Sequence, residues 1–202
     1  MSNESIAAHF AAEDLLESVL AAVPEDRWDA PTTCTDWSVR DIAAHVTWGC
    51  DLLRLRAQGE EIADLRAAPG AERPSEYIDG DPLGAYRAAR KACDEVLTPE
   101  SLSQPAPEFV RSFNPEATLR QFIGSMTADT VTHAWDIADA LGLELTVAPA
   151  LVEVSRKATA GTVPRVPGVF APEVTPPAGA DGLEQLVAYL GRTSLRSKET
   201  TA

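Results

Sequence analysis

Residues 116–141 read EATLRQFIGSMTADTVTHAWDIADAL, and this stretch decides the fold of the chain. Residues three and four apart share one face of an α-helix, so an apolar stripe with two polar members should line up along it. Six residues form that stripe: Phe122, Met126, Asp129, His133, Ile137 and Ala140. Burying an unpartnered polar group costs roughly 2–7 kcal/mol, and burying a charge costs more. The helix therefore predicts that Asp129 and His133 have a compensating partner inside the protein.

The apolar face of a second predicted helix is also interrupted by a polar residue. Ser38 and Asp41 have the spacing of a capping box, which predicts a helix from Ser38 to about Gln58. His45 falls on the buried stripe of that helix. Two of the three histidines in the chain are thus expected to face inward, whereas His9 is expected to be a partly exposed residue near the N-terminus.

Cap residues, prolines and glycines mark the other elements. Helices are predicted over Ser5–Val23, over Pro82–Leu97 behind an Asp81 cap, and from Asn114-Pro115 to Leu141. The connection Ser101–Phe113 is expected to hold a short extended piece at Phe109-Val110. Shorter helices follow within Val147–Ala160 and from Asp181 through Leu190, and the polar tail from Ser194 is expected to fray.

This order of elements predicts an all-α chain. We expect a single domain, residues 1–202, built as an antiparallel four-helix bundle. The bundle core covers about residues 5–142, and a short C-terminal extension covers about residues 143–202. Metal sites in such bundles are assembled from side chains on facing helices.

Composition argues against several classes of function. A net charge of −14 disfavours nucleic acid and anionic membranes as partners. The sequence has no apolar stretch of about 18 residues, no signal-peptide pattern and no glycine-rich phosphate loop. Cys34, Cys50 and Cys93 lack the spacing of a disulfide framework. We therefore expect a cytoplasmic protein that acts on small molecules, and homodimerisation stays open.

Asp129, His133 and His45 form the two-histidine, one-carboxylate set that is typical of a metal site with an open position. Their i, i+4 spacing lets Asp129 and His133 reach the same ion, and His45 is the best third ligand from another helix. The alternative is a buried hydrogen-bonded Asp129–His133 pair with His45 packed alone, and the residues leave both open. Asp136 is either an alternative ligand or a residue that orients His133.

Two tryptophans follow the candidate ligands closely in the sequence. Trp48 and Trp135 are predicted to bind a cofactor as walls of a pocket beside the metal, although both also suit an ordinary core. Cys50 is expected to be a small core residue. The loop that holds Cys34 is expected near the mouth of the bundle.

Two segments resemble the mycothiol-dependent maleylpyruvate isomerase N-terminal family, which belongs to the DinB-like bundle superfamily. PTTCTDWSVRDIAAH at Pro31–His45 is similar to its P-T-x-C-x-x-W-x-V-x-D-h-x-x-H segment, where h is an apolar residue. DTVTHAWDI at Asp129–Ile137 is similar to its acid-x-x-x-His-x-Trp-Asp-h signature. The segment Phe170–Arg192, which ends in YLGR, is similar to the closing segment of small metal-binding members.

The resemblance implies a DinB-like four-helix bundle that holds a divalent metal, usually zinc, near one end. Position by position, the family's first histidine matches His45, its carboxylate matches Asp129 and its second histidine matches His133. The isomerase proper carries a glutamate at the position of Asp129. It also has a further C-terminal domain that contributes to its active site, which the short extension here is not expected to supply.

The expected function is that of a metal-dependent transferase or isomerase. It would use a low-molecular-weight thiol of the mycothiol type as a cosubstrate to attack an electrophilic small molecule. His45, Asp129 and His133 would hold the metal, and the residues name no general acid or base. One alternative is a hydrolase that uses metal-activated water. Another is a non-catalytic, metal-stabilised bundle that dimerises or binds a partner.

Overall fold

The computed structural model describes residues 2–34, 36–161, 163, 165 and 170–196, and its fold is all-α, as predicted. No β-strand occurs among these residues. Seven α-helices are present: α1 Ser2–Ala21, α2 Val39–Ala57, α3 Pro82–Asp94, α4 Glu108–Arg111, α5 Leu119–Leu141, α6 Pro149–Thr159 and α7 Gly182–Tyr189. None of the helices in the described part of the chain combines the length and apolar character needed to cross a bilayer.

Local capping explains where three of these helices begin. Ser38 and Asp41 form the predicted capping box at the start of α2, each side chain accepting from the other residue's backbone N–H. Asp81 accepts from the backbone of Leu83 at the start of α3. Asp181 caps α7 in the same way as Ser38 caps α2. These caps satisfy backbone donors that a helix leaves free in its first turn.

The predicted start of α5 at Asn114-Pro115 is wrong. The backbone of Ala106 donates to the carbonyl of Ala117, and that of Leu119 donates to the carbonyl of Gln104. These bonds hold the residues just before Leu119 beside an extended segment, so the helix begins later. A capping box of Thr118 with Gln121 then starts it.

The predicted extended piece at Phe109-Val110 is also wrong, because those residues form the single helical turn α4. The carbonyl of Pro107 accepts from the backbone of both Val110 and Arg111 and closes the turn. The turn brings the Phe109 ring edge-on to Phe122, with 5.8 Å between ring centroids. This contact anchors the connection on α5.

The four longest helices share the main core. Helix α1 packs on α5, α2 packs on α3, and α2 also contacts α5. A second apolar cluster joins α6 and α7 to α1 and α5, so α5 is covered from several sides. His9 is consequently buried, with 2% of its surface exposed, and the expectation that it is partly exposed is wrong.

The chain after α7 returns to α5. The Ser194 hydroxyl and the Leu195 backbone donate to the Asp139 carboxylate, the latter at 2.7 Å. Arg196 donates to the carbonyl of Ala138. The predicted fraying is therefore wrong for Ser194–Arg196, and the remainder of the tail lies outside the described residues.

Candidate metal centre

His45 on α2 and Asp129 and His133 on α5 come together inside the bundle. Asp129 lies between the two rings, with Oδ2 3.4 Å from His45 Nε2 and Oδ1 3.5 Å from His133 Nε2. The ring centroids are 5.0 Å apart and the ring planes are nearly perpendicular. One ligand atom from each residue lies within 4.8 Å of the other two. The separations of 3.4 and 3.5 Å from Asp129 to the two Nε2 atoms match those between tetrahedral ligands of one cation with bonds of about 2.0–2.2 Å.

Hydrogen bonds on the far side of each ring fix which nitrogen faces Asp129. His45 Nδ1 lies 2.7 Å from the carbonyl of Ala67, which can only accept, so Nδ1 carries the hydrogen. His133 Nδ1 lies 3.0 Å from Asp136 Oδ2 and donates in the same way. Both Nε2 atoms therefore face Asp129 and would bind a cation in place of a proton, and metal-ligating histidines are usually oriented like this. The donor set fits a divalent metal.

The electrostatics of the cluster favour a positive charge at its centre. Burial lowers the pKa of His133, but the Asp129 and Asp136 carboxylates outweigh it and raise that pKa to about 9. Burial would raise the pKa of Asp129, but His133 and His45 hold it well below its usual range. The Asp129 side chain is 29% exposed, against about 5% for the two rings. The site therefore has one open side, at Asp129.

Asp136 is a fully buried anchor behind His133, with 0% of its surface exposed. It accepts hydrogen bonds from the Thr33 hydroxyl, from His133 Nδ1 and from the Arg192 guanidinium, the last at 3.4 Å. Burial raises the pKa of Asp136, but Arg192, His133 and Thr33 together bring it down to about 2. Asp136 thus remains a carboxylate that orients the imidazole.

Cys34 joins His133 and Asp136 in a second cluster of potential ligands, also within 4.8 Å of one another. The loop of Cys34 thus lies beside His133 and Asp136. However, Asp136 already occupies His133 Nδ1. Burial and the neighbouring Asp136 raise the pKa of the Cys34 thiol to about 12, so the thiol stays protonated. This cluster is the weaker of the two cation sites.

Two tryptophans contact the candidate ligand His45, and a third lines a separate cleft. Trp37, which residue-level reasoning did not single out, is 4.9 Å from His45 between ring centroids and donates Nε1–H to the carbonyl of Ala71. Trp48 stacks nearly parallel to His45, with 6.0 Å between ring centroids. Trp135 instead lines a separate cleft of about 670 Å³ between α5 and residues 174–196. Cofactor binding by Trp48 and Trp135 stays a prediction.

A mostly apolar cavity of about 100 Å³ opens beside Asp129. Thr132, Phe170 and Leu190 line it, together with Arg192, whose guanidinium lies 5.7 Å from the centroid of the Phe170 ring. The open side of the site therefore faces a recess that could take a small apolar group of a ligand.

Gly191 allows the turn that brings Arg192 to Asp136, and alanine should not be tolerated there. Its φ is 84°, and a Cβ would lie 2.7 Å from the carbonyl oxygen of Ala171. We expect Gly191→Ala to lower the free energy of unfolding by about 2–4 kcal/mol, measured by urea denaturation. Gly179 has a φ of 81° with nothing within 4 Å of such a Cβ, so Gly179→Ala should cost only about 1 kcal/mol. Equal losses for the two variants would contradict this account of Gly191.

Comparison with known proteins adds a family match and several relatives. The family model described as the mycothiol maleylpyruvate isomerase N-terminal domain matches residues 9–138, which include all three candidate ligands. The uncharacterized proteins Rv0738 and MT0763, from two strains of Mycobacterium tuberculosis, are each 32% identical to this chain over 195 residues, covering 94% of it and 98% of themselves. The uncharacterized protein Rv0036c of the same species is 28% identical over 177 residues, covering 83% of this chain and 67% of itself. No solved structure matches the chain significantly.

Proposed function

This chain belongs to the mycothiol maleylpyruvate isomerase N-terminal domain family, and we propose that it is a metal-dependent enzyme that activates a low-molecular-weight thiol of the mycothiol type. Its second substrate is an electrophilic small molecule. The observation that carries the proposal is the convergence of His45, Asp129 and His133 around a point with one open side.

Three residues of the site would bind the cation, and other groups orient the two histidine rings. His45 Nε2, His133 Nε2 and an Asp129 oxygen would hold the cation, and zinc suits this nitrogen and carboxylate set. A bound divalent cation lowers the pKa of a thiol beside it, so that thiolate forms at neutral pH. The Ala67 carbonyl and Asp136 keep the two rings in the ligating orientation.

The reaction takes place at the open side of Asp129. The thiolate sulfur forms a bond to the electrophilic carbon of the second substrate. Either the carbon–carbon π bond at that carbon opens, with its electron pair moving into the conjugated carbonyl group, or a halide leaves with its bonding pair. Loss of the halide, or protonation of the opened adduct by solvent, completes a thiol transfer. Rotation about the substrate's former double bond, followed by return of the electron pair and release of the thiolate, gives an isomerase. The apolar cavity beside Asp129 suits the electrophile, because Phe170 and Leu190 give it apolar walls.

Metal-dependent thiol consumption tests the proposal. Protein purified without a histidine tag and loaded with Zn²⁺ is mixed with mycothiol and an activated aryl halide or a cis-enoic acid. We expect thiol consumption or isomerisation that falls to the uncatalysed rate in His45→Ala and stays at the wild-type level in Glu153→Ala, which alters an exposed ion pair on α6. In Co²⁺-loaded protein, adding the thiol should produce the absorption band of cobalt–thiolate coordination.

Two outcomes would contradict the proposed activity. Turnover of an ester or amide panel without any thiol would indicate a hydrolase. Stoichiometric metal without turnover of either panel, and without a cobalt–thiolate band, would indicate a metal-stabilised bundle. In that second case Zn²⁺ at about 100 times its dissociation constant should still raise the free energy of unfolding by about 2.7 kcal/mol.

A further inference from the structure

A separate cluster of buried polar side chains, which includes neither set of candidate metal ligands, lies between α1, α2 and α3. Its central members are His9 and Glu13, each with 2% of its surface exposed. His9 Nδ1 lies 3.5 Å from the hydroxyl of Thr127 on α5. That hydroxyl already donates to the carbonyl of Ile123 at 2.9 Å, so its oxygen accepts from His9 Nδ1–H. The Nε2 atom of His9 is left as an acceptor.

Glu13 and Asp94 add further acceptors to the same cluster. Glu13 Oε1 accepts from the Cys50 thiol at 3.3 Å and lies 3.5 Å from His9 Nε2. Among the described side chains, His9 Nε2, Glu13 Oε2 and Asp94 Oδ1 are buried without a hydrogen-bond partner. Arg90 Nε lies 3.8 Å from Glu13 Oε2, an ion pair that is too long for a hydrogen bond. Buried acceptors normally have donors, so the cluster has fewer hydrogens than its acceptors require.

A water molecule in a small cavity next to the cluster can supply some of these hydrogens. Its volume is about 10 Å³, and His9, Glu13 and Cys50 form one part of its wall while Asp129 forms another. This is about the space that one water molecule needs, and the wall offers the polar partners that such a water requires. One water donates two hydrogen bonds, and one proton on Glu13 Oε2 would be donated to Asp94 Oδ1. Together they satisfy all three acceptors.

We propose that Glu13 and Asp94 share one proton and that, with one buried water held by His9 Nε2, they form a proton-transfer path to the flank of the bundle from the cavity of about 10 Å³ that Asp129 borders. The path rests on the proposed function, because it would carry away the proton that the thiol loses. The water receives that proton and passes one to Glu13 Oε1, and Glu13 Oε2 gives its own to Asp94 Oδ1. Asp94 Oδ1 is buried but the Asp94 side chain is 34% exposed, so rotation of the carboxyl group brings the proton to solvent, where it is released. One proton enters and one leaves, and no electrons are transferred.

The charges around the path agree with this protonation. Burial, and next the charge of Asp94, raise the pKa of Glu13 to about 8, so its carboxyl is mostly protonated at pH 7. Burial, and next Arg90, lower the pKa of His9 to about 4, so the ring is neutral. The titratable and charged groups that face Glu13 and Asp94 come from four helices: Asp14 and Glu17 from α1, Cys50 from α2, Tyr86, Arg90 and Cys93 from α3, and Asp129 across the cavity from α5.

Infrared difference spectroscopy of the protein without metal or thiol tests the shared proton. At pH 7 we expect the C=O stretching band of a buried protonated carboxylic acid, and we expect it to disappear as the pH rises through about 8. The band should be absent in Glu13→Gln and present in Glu95→Gln, which alters the exposed neighbour of Asp94. Asp94→Asn should move the midpoint to lower pH, because it removes the negative charge that disfavours ionisation of Glu13.

Absence of the band at pH 7, or its persistence in Glu13→Gln, would overturn the proposal. If Glu13→Gln does not fold, the titration midpoint of the band in Asp94→Asn serves as the test. An unchanged midpoint, or one at higher pH, would also overturn the proposal. The spectrum needs no metal and no thiol, so its outcome is separate from that of the proposed function. A Glu13-dependent band in a protein that binds no thiol would uphold the shared proton and remove only the thiol chemistry.

The rate of proton release on thiol binding tests whether Glu13 and Asp94 transfer the proton. In Zn²⁺-loaded protein, a pH-indicator dye in a stopped-flow instrument should report release of one proton per thiol bound. We expect Glu13→Gln to slow that release at least about 10-fold while leaving the equilibrium affinity for the thiol within about twofold. Glu13→Asp should restore part of the rate. An unchanged release rate in Glu13→Gln would overturn the path.

Discussion

Replacing His133 by alanine is expected to leave the purified protein almost without bound metal. The change removes one of three ligands and leaves Asp129 and Asp136 facing each other without the intervening ring. Loss of a residue that merely orients a ligand costs roughly 10–100-fold in metal affinity, so loss of the ligand itself should cost at least about 100-fold. Equilibrium dialysis followed by atomic emission of the untagged protein measures this directly.

The matched variants decide how that result is interpreted. His45→Ala should lose metal to the same extent, because it removes the ligand from the facing helix. Glu153→Ala should retain the wild-type metal content, because its carboxylate lies on the exposed face of α6. Wild-type metal content in both histidine variants would mean that the cation binds elsewhere.

Asp136→Ala is expected to lower the free energy of unfolding by about 3–5 kcal/mol, the largest loss of stability that we predict for a single substitution. Arg192, with 8% of its surface exposed, would keep its charge in the interior without its carboxylate. Removing one partner of a buried ion pair costs about this much. The Thr33 hydroxyl and His133 Nδ1 would lose their acceptor at the same time. Urea denaturation in the presence of a chelator measures the effect without any contribution from metal.

Two further variants separate the buried charge from ordinary loss of contacts. Glu153→Ala breaks an exposed ion pair and should change stability by less than about 1 kcal/mol. Arg192→Met in the Asp136→Ala background should recover part of the loss, because it removes the unpaired charge. A loss below about 1 kcal/mol in Asp136→Ala would contradict the role of Asp136 as the buried anchor of the site.

Asp129 occupies the position where the isomerase proper is expected to carry a glutamate. Its two oxygens each face one ring, at 3.4 and 3.5 Å from the Nε2 atoms. The shorter carboxylate therefore still reaches both histidines, because it lies between them rather than to one side. A longer side chain here would extend toward the cavity that Phe170 and Arg192 line.

Features set by nearby residues could be predicted from the sequence. The cap of α2 depends on Ser38 and Asp41, three residues apart, and the meeting of Asp129 with His133 depends on one helical turn. His45 could be placed with them because it falls on the buried stripe of its own helix. In each case the spacing along a helix contains the relevant geometry.

Features set by distant residues could not be predicted. Thr33 and Arg192 reach Asp136 from 103 and 56 residues away in the chain, and nothing in their own neighbourhoods indicates this. His9 is buried because α5 packs over it, which the sequence around His9 does not reveal. The late start of α5 has the same origin, since backbone bonds from Gln104 and Ala106 override the local signal of Asn114-Pro115.

Anomalous diffraction at the zinc absorption edge, from crystals of the untagged Zn²⁺-loaded protein, tests the central claim most directly. We predict a single strong peak at about 2.0–2.2 Å from His45 Nε2, His133 Nε2 and an oxygen of Asp129. A peak among Cys34, His133 and Asp136 instead, or no peak near His133 in a correctly folded chain, would contradict it.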